Sequence, residues 1–456
     1  MTNQIKEKEL TIIGGGITGL AAAYIAAKEG AKVQVLEASG EFGGLLRTFE
    51  IGNNRLEYFY HHFFTHDKEI HWLIKELGIE HKLEYYKTTM STYRNNKLYG
   101  FNSPLDLLKF RPIKWLDKIK FGFTSLYLGK LAKWEEYENV SALEWFQTYA
   151  GNSATESLWK PMLDIKFGPY AEKVPLSWMI GRLRQRLNSR KAGDERLGYI
   201  EGSLKTLLDA LISKLTQMGV ILKTNSPVTR LNFDPNQNKL LGIETENDSY
   251  MGGDFLFTIP GTTLSKILPE YHKLRKELNQ IEYFGAVCVV LEMNKALSNT
   301  YWINVADPGF DFGGIIEHTN FIPPEKYNGK HIVYLSRYFD TKDPLFSAND
   351  EQISDKLIPQ LKEIFPGFNI SQIDKINIFR TPTAATVCDL NFSKKVLDCK
   401  TEYDNMFLAN MMHIYPDERS VNNSIRVALE ACKTMGISTI EIAKTNSLSG
   451  KIGFNN

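Results

Sequence analysis

Four cysteines in 456 residues, Cys288, Cys388, Cys399 and Cys432, leave no C-x-x-C pair and no cysteine–histidine spacing. That scarcity excludes a zinc ribbon and a disulfide scaffold and fits a reducing compartment. A surplus of charge is also missing. With 54 Lys and Arg against 53 Asp and Glu, the formal net charge is +1. Nucleic acid is therefore not an expected partner, because phosphate neutralisation needs a basic surface. No run of eighteen apolar residues occurs, which removes a membrane-spanning helix from the expectations. The polar opening residues run into an apolar strand at Leu10, so no secretory leader is expected and the cytoplasm is the expected location. Repeats and low-complexity tracts are absent, and a chain this long holds core for two or three domains.

What is there begins with Leu10 to Ala23, reading LTIIGGGITGLAAA. Leu10 to Ile13 predict a short buried strand, and Gly14, Gly16 and Gly19 form a G-x-G-x-x-G turn into a helix of small residues that carries Thr18 in its first turn. The spacing suits a dinucleotide: the first glycine allows the tight turn, the second lets backbone approach a pyrophosphate, and the third lets helix pack on strand. The helix N-terminus then faces the phosphates. After Gly30, residues 31–37 predict a second strand ending at Glu37, where a carboxylate can bind ribose hydroxyls. A second glycine-rich loop follows, in which Gly43, Gly44 and Arg47 suit a further diphosphate contact: bare backbone beside a bidentate cation.

In this order the motifs resemble the amino half of the FAD-dependent amine oxidase superfamily. That group holds flavin amine oxidases, protoporphyrinogen oxidases, carotenoid desaturases and, more distantly, UDP-galactopyranose mutases. The Gly-Gly-Leu-Leu-Arg47 form is nearer to the protoporphyrinogen oxidase and desaturase branch. The resemblance implies non-covalent FAD and an α/β fold: a Rossmann-like FAD-binding domain with an interleaved α+β substrate domain of helices and a mixed sheet. It divides the chain into FAD segments 1–100, 197–280 and 399–456, a helical substrate segment 101–196 and a mixed-sheet segment 281–398.

The resemblance also implies roles for particular residues. The stretch from Leu56 to His66 corresponds to a segment beside the flavin ring; it keeps Glu57, has Phe59 where relatives place glycine, and offers His61 and His62 as groups that accept a proton or position substrate. Val228 corresponds to a backbone contact with adenine. Asn410-Met411 replaces the Gly-Asp pair that meets the ribityl chain, and the following helix, with Asn422, Asn423 and Ser424 as good N-cap types, points at the flavin. Arg380 and Tyr415 are candidate substrate ligands, and Arg182, Arg184, Arg186 and Arg190 form another place for an anionic substrate, although alternate positions on a helix cannot all share one face. The strand of residues 285–291 has no lysine, which argues against amine oxidation. Helices across 104–190 set Trp115, Ile119, Phe123 and Leu126 on one side and lysines on the other. A helical cover for the substrate cavity, with solvated lysines, is expected ahead of peripheral membrane contact. The expected activity is hydride transfer from a small-molecule substrate to flavin, with oxygen, a quinone or another compound as electron acceptor. A mutase-like sugar-nucleotide isomerase using reduced FAD is the alternative, and a non-catalytic flavin scaffold a third.

Overall fold

The computed structural model describes residues 8–191, 194–442 and 453–454. Three stretches far apart in sequence build one parallel sheet of five strands, ordered Ile221–Lys223, Lys32–Leu36, Glu9–Ile13, Asp254–Phe257 and Met406–Leu408. Its strands are short apolar runs because both faces are covered, as parallel sheets require. On one face the helix Ile17–Lys28 lies close to the strands, its fully buried Ala21, Ala22, Ala23 and Ala26 leaving nothing between backbone and sheet. The helix Val421–Thr434 packs beside it, with the Cys432 thiol 3.7 Å from the Ala22 carbonyl oxygen. An antiparallel meander, Val228–Phe233, Leu240–Thr245 and Ser249–Met251, joins Ile221–Lys223 to Asp254–Phe257 within the second nucleotide stretch.

The second body is a seven-stranded mixed sheet. Its long strand Tyr283–Met293, next to one edge, pairs antiparallel with the edge strand Ile373–Thr386 on one side and His331–Phe339 on the other. Alternation along it serves two cores: Val287, Val289 and Leu291 face the helices near residues 350–364, while Cys288 and Val290 face an aromatic layer with Tyr301, Tyr334, Tyr60 and Trp302. The aromatic layer belongs to the site described below. Strand Met90–Arg94 pairs parallel with Trp302–Val305, and Lys97–Gly100 completes that edge. Residues 90–100 thus hydrogen-bond into this sheet, although the division at residue 100 places them with the first nucleotide segment.

Helices occupy most of 104–188, and one expectation about them is reversed. In the helix Trp115–Lys130 only Lys118, Leu128 and Gly129 are buried; Trp115, Leu116, Ile119, Phe123 and Leu126 point to solvent rather than over a cavity. The reason is steric. The helix packs on Leu176–Asn188 through Gly129, where an added Cβ would lie 2.1 Å from the Leu187 side chain, so the small-residue face is the one turned inward.

Candidate active site

The two glycine loops lie back to back. Gly14, at φ +111°, donates its N–H to the Leu36 carbonyl, and the Gly43 N–H reaches the Gly15 carbonyl at 2.9 Å. Each glycine of the first loop is required differently. A Cβ on Gly19 would lie 2.0 Å from the Gly14 carbonyl oxygen, and one on Gly14 2.6 Å from Thr258 Oγ1, whereas one on Gly16 would meet nothing within 4 Å. Gly16 therefore faces open space at the N-terminus of Ile17–Lys28, a helix end with no side-chain cap and with Thr18 half-buried in its first turn. Uncapped N–H groups beside a bare backbone position fit the pyrophosphate of a dinucleotide. Gly44, at φ +56°, closes the cradle: its Cβ would come within 3.2 Å of Gly16 Cα.

Glu37 sits at the strand end, half-buried. One carboxylate oxygen accepts from the Gly15 N–H at 2.7 Å and the other from the Ser39 N–H and hydroxyl at 2.8 and 2.7 Å. Ionised, it keeps acceptor capacity for a ribose hydroxyl. The Ser226 N–H donates to the Glu37 carbonyl, which brings the start of the Val228–Phe233 strand to the same edge. Arg47 lies over the Tyr58 ring, 5.5 Å from its centroid, with Nε on the Gly44 carbonyl. Its terminal nitrogens have no protein partner among the described residues. Tyr58 in turn stacks on Phe379 at 4.2 Å.

The segment after Glu57 runs between the two bodies. His61 Nδ1 lies 2.5 Å from the Phe59 carbonyl oxygen and must be its donor, which leaves Nε2 as the acceptor of a neutral ring. Burial, then the Arg419 cation, pulls His61 down to about 3; burial, then Arg186, pulls His62 to about 4. His62 lies 3.2 Å from the Tyr301 hydroxyl in a cleft shared with Arg186, Glu195 and Trp302. Both histidines are neutral at physiological pH.

Facing them is a charged cluster in which Arg182 and Arg186, expected from the sequence, meet Lys166, Glu195, Glu418 and Arg419, which were not. Glu418 takes Lys166 and a two-oxygen contact from Arg182 Nη1 at 2.5 and 2.6 Å. Burial would raise its carboxyl; the Arg182 and Lys166 cations outweigh that and hold it far below its usual range. Burial and Arg182 pull the Lys166 ammonium down. Lys166 and Arg182 flank the Trp178 ring. Arg186 pairs with Glu195, and Arg419 donates to the Tyr338 hydroxyl and forms no ion pair among the described residues. Arg182 and Arg186, four apart, do share a face, and Arg184 turns away to the Ala132 carbonyl. The Arg190 side chain lies outside the described residues.

Residues 17–384 match the family described as flavin containing amine oxidoreductase. The chain belongs to that family. Its cofactor is FAD and it is an oxidoreductase by descent. Among curated relatives, tomato (Solanum lycopersicum) 15-cis-phytoene desaturase is 21% identical over 404 residues, covering 83% of this chain and 69% of that protein. The fold matches a putative protoporphyrinogen oxidase from Exiguobacterium with a TM-score of 0.74, at 16% identity over 92% of this chain and 97% of that one. It matches a reduced UDP-galactopyranose mutase at 0.71, with 14% identity over 96% of both chains.

Three of the residues singled out on sequence have their side chains engaged within the protein. Arg380 is exposed and paired with Asp350, because the strand turns Phe379 inward and so Arg380 outward. Tyr415 is 2% exposed, packed on Trp134 and Phe392 with its hydroxyl on Ser177. Asn410 uses its amide to accept from the Met412 N–H and donate to the Ile259 carbonyl, pinning a turn. The C-terminal helix begins earlier than Ser424: Ser420 is the N-cap and accepts from the Asn423 N–H, while the Asn423 amide holds the Glu418 carbonyl at 2.8 Å. Asn423 thereby fixes the loop that carries Arg419. Signals for Glu418 and Arg419 existed in the Asp-Glu-Arg run directly before that N-cap.

Glu57 is structural. Fully buried, it accepts from the Tyr199 hydroxyl and caps the helix Leu204–Gln217 at the Leu204 N–H. Burial outweighs these bonds and raises its carboxyl from 4.5 to about 7. A raised carboxyl favours the folded state below its unfolded value and loses that contribution as pH rises toward and through 7. At about 1.4 kcal/mol per pH unit, Glu57 costs the wild type roughly 3 kcal/mol between pH 4.5 and pH 8. Thermal scans at pH 5 and pH 8 should therefore differ less for Glu57→Gln than for wild type; equal differences would refute the assignment.

Proposed function

We propose that the enzyme removes a hydride from a carbon of a small substrate that carries a carboxylate or phosphate. The carrying observation is Arg419: a half-buried cation whose hydrogen bond goes to the Tyr338 hydroxyl and which forms no ion pair among the described residues, one residue from the N-terminus of Val421–Thr434 and close enough to depress His61. Together Arg182, Arg186 and Arg419 outnumber Glu418 and Glu195 by one charge, and Lys166, pulled down to about 7, adds part of another. An uncompensated buried cation is costly, so an anion is the expected occupant. Bound FAD, held non-covalently, supplies the two-electron acceptor. The chain supplies orientation and dryness: Arg419 and Arg186 anchor the anion, Tyr60 and Trp302 wall the cleft, and the free Nε2 of His61 accepts a hydrogen bond from the substrate. With His61 and His62 near 3 and 4, neither serves as a strong base, which suits a reaction in which hydrogen leaves with its electron pair.

Sugar-nucleotide isomerisation with the cofactor kept reduced is the second reading, favoured by the same cation surplus, since a diphosphate would fill it. The two separate in one anaerobic experiment. Bleaching of the visible absorption by an anionic reductant, with colour restored by oxygen or a quinone, is expected here. Turnover only after dithionite reduction would replace this reading with the mutase. Arg419→Gln should raise KM about tenfold to a hundredfold, the scale of one charge-assisted hydrogen bond, with kcat changed less. An unchanged KM would remove Arg419 from the substrate site.

A further inference from the structure

We infer that residues 104–131 form a docking face for an anionic lipid bilayer. Among the described residues, nine of the sixteen large hydrophobic side chains that stand exposed fall within Leu105 to Leu131. On the helix Trp115–Lys130, Trp115 is 62% exposed, Leu116 70% and Phe123 72%, with Ile119 and Leu126 between them. Positions 115, 116, 119, 123 and 126 fall on one stripe at 3.6 residues per turn, along a helix roughly 24 Å long. Leu105 and Leu108 extend the stripe from the preceding helix Pro104–Lys109, and Leu131 extends it beyond the end. A contiguous apolar patch of this extent on a water-facing surface marks an interaction site.

The surrounding charge selects the occupant. Lys109, Arg111, Lys114, Lys120 and Lys130 are all exposed around the stripe. The two acids in the same stretch are tied inward: Asp106 accepts from the Asn102 and Ser103 N–H groups, and Asp117 from the Ser153 N–H and hydroxyl. A chain of net charge +1 thus gathers five exposed cations, against two acids already hydrogen-bonded elsewhere, around this apolar stripe. Trp, Phe and Leu on one face with Lys and Arg at its rim is the composition of a helix that lies in the headgroup plane, and each cation near an anionic surface strengthens the contact. The placement is also useful. This helix packs directly on Leu176–Asn188, which carries Arg182 and Arg186, so one helix layer separates the docking face from the cleft. No helix among the described residues is long and apolar enough to cross a membrane, so the contact would be peripheral.

The test is flotation of the FAD-loaded full chain with vesicles of phosphatidylcholine alone or mixed with phosphatidylglycerol. Wild type is expected to float with the mixed vesicles, to float less with phosphatidylcholine alone, and to be released by salt. Trp115→Ser/Phe123→Ser and Lys114→Glu/Lys120→Glu should each lower the partition about tenfold or more while keeping the visible spectrum and melting temperature. Three results would overturn the inference: no flotation of wild type, double variants that float as well as wild type, or a wild-type dimer by light scattering that Trp115→Ser/Phe123→Ser dissociates and that ignores vesicles.

Discussion

Gly16→Ala and Gly19→Ala should both yield colourless protein, and for opposite reasons. At Gly19 the new methyl would sit 2.0 Å from the Gly14 carbonyl oxygen and 2.9 Å from Thr258 Oγ1. Backbone cannot yield there without separating helix from strand, so a loss of ~3 kcal/mol or more in stability is expected, with poor recovery and a lowered melting temperature. At Gly16 the methyl would meet no protein atom, and φ −74° with ψ 177° suits any residue. That variant should fold and melt like wild-type apoprotein yet bind FAD roughly a hundredfold more weakly, about 2.7 kcal/mol, because the methyl would occupy the space left for the pyrophosphate. Parallel melting curves and FAD titrations check both. A yellow Gly16→Ala protein of unchanged affinity would mean that the cofactor does not pass this loop.

That contrast shows what kind of feature the sequence discloses. Steric requirements at glycines are written in residue type and spacing, so the nucleotide half, from Gly14 through Glu37 to Arg47, reads off directly. The mixed sheet was legible as alternation in Tyr283–Met293, but its far edge was not. Strand Met90–Arg94 finds its partner Trp302–Val305 across two hundred residues, and parallel pairing between distant segments leaves no local turn signal. Substrate-side candidates fared worst. Arg380 and Tyr415 carry suitable chemistry, yet strand alternation turns the first outward and core packing consumes the second. Lys166 and Arg182 meet the Glu418-Arg419 pair only through tertiary structure. Helix Trp115–Lys130 is a further case: periodicity located its apolar stripe, but which side faces the protein was decided by Gly129 fitting against Leu187.

The largest effect on the assembled site is expected from a pair distant from the chemistry. Arg426 on the C-terminal helix donates Nε and Nη2 to the two oxygens of Glu69 at 2.7 and 2.8 Å, and Asn422 adds its amide to the same carboxylate at 2.8 Å. Both side chains are under a tenth exposed, 8% and 7%. Burial alone would raise the Glu69 carboxyl; the Arg426 guanidinium outweighs it and holds it below its usual value. The pair therefore stabilises above the unfolded carboxyl pKa and loses that contribution as pH falls through the folded value, the reverse of Glu57. Arg426→Met leaves a buried carboxylate unpaired and should cost about 3–5 kcal/mol. It should also loosen FAD, because the helix that docks through this pair carries the Glu418–Ser420 loop at its start. Glu69→Met/Arg426→Met removes both charges of the short contact, leaving Asp417 without the cation that lies 3.9 Å away, and should recover much of the melting temperature and the colour, since apolar replacement of a buried pair is often near neutral. A double variant no better than the single one would show that geometry of the hydrogen bonds, and not the stranded charge, holds the helices together.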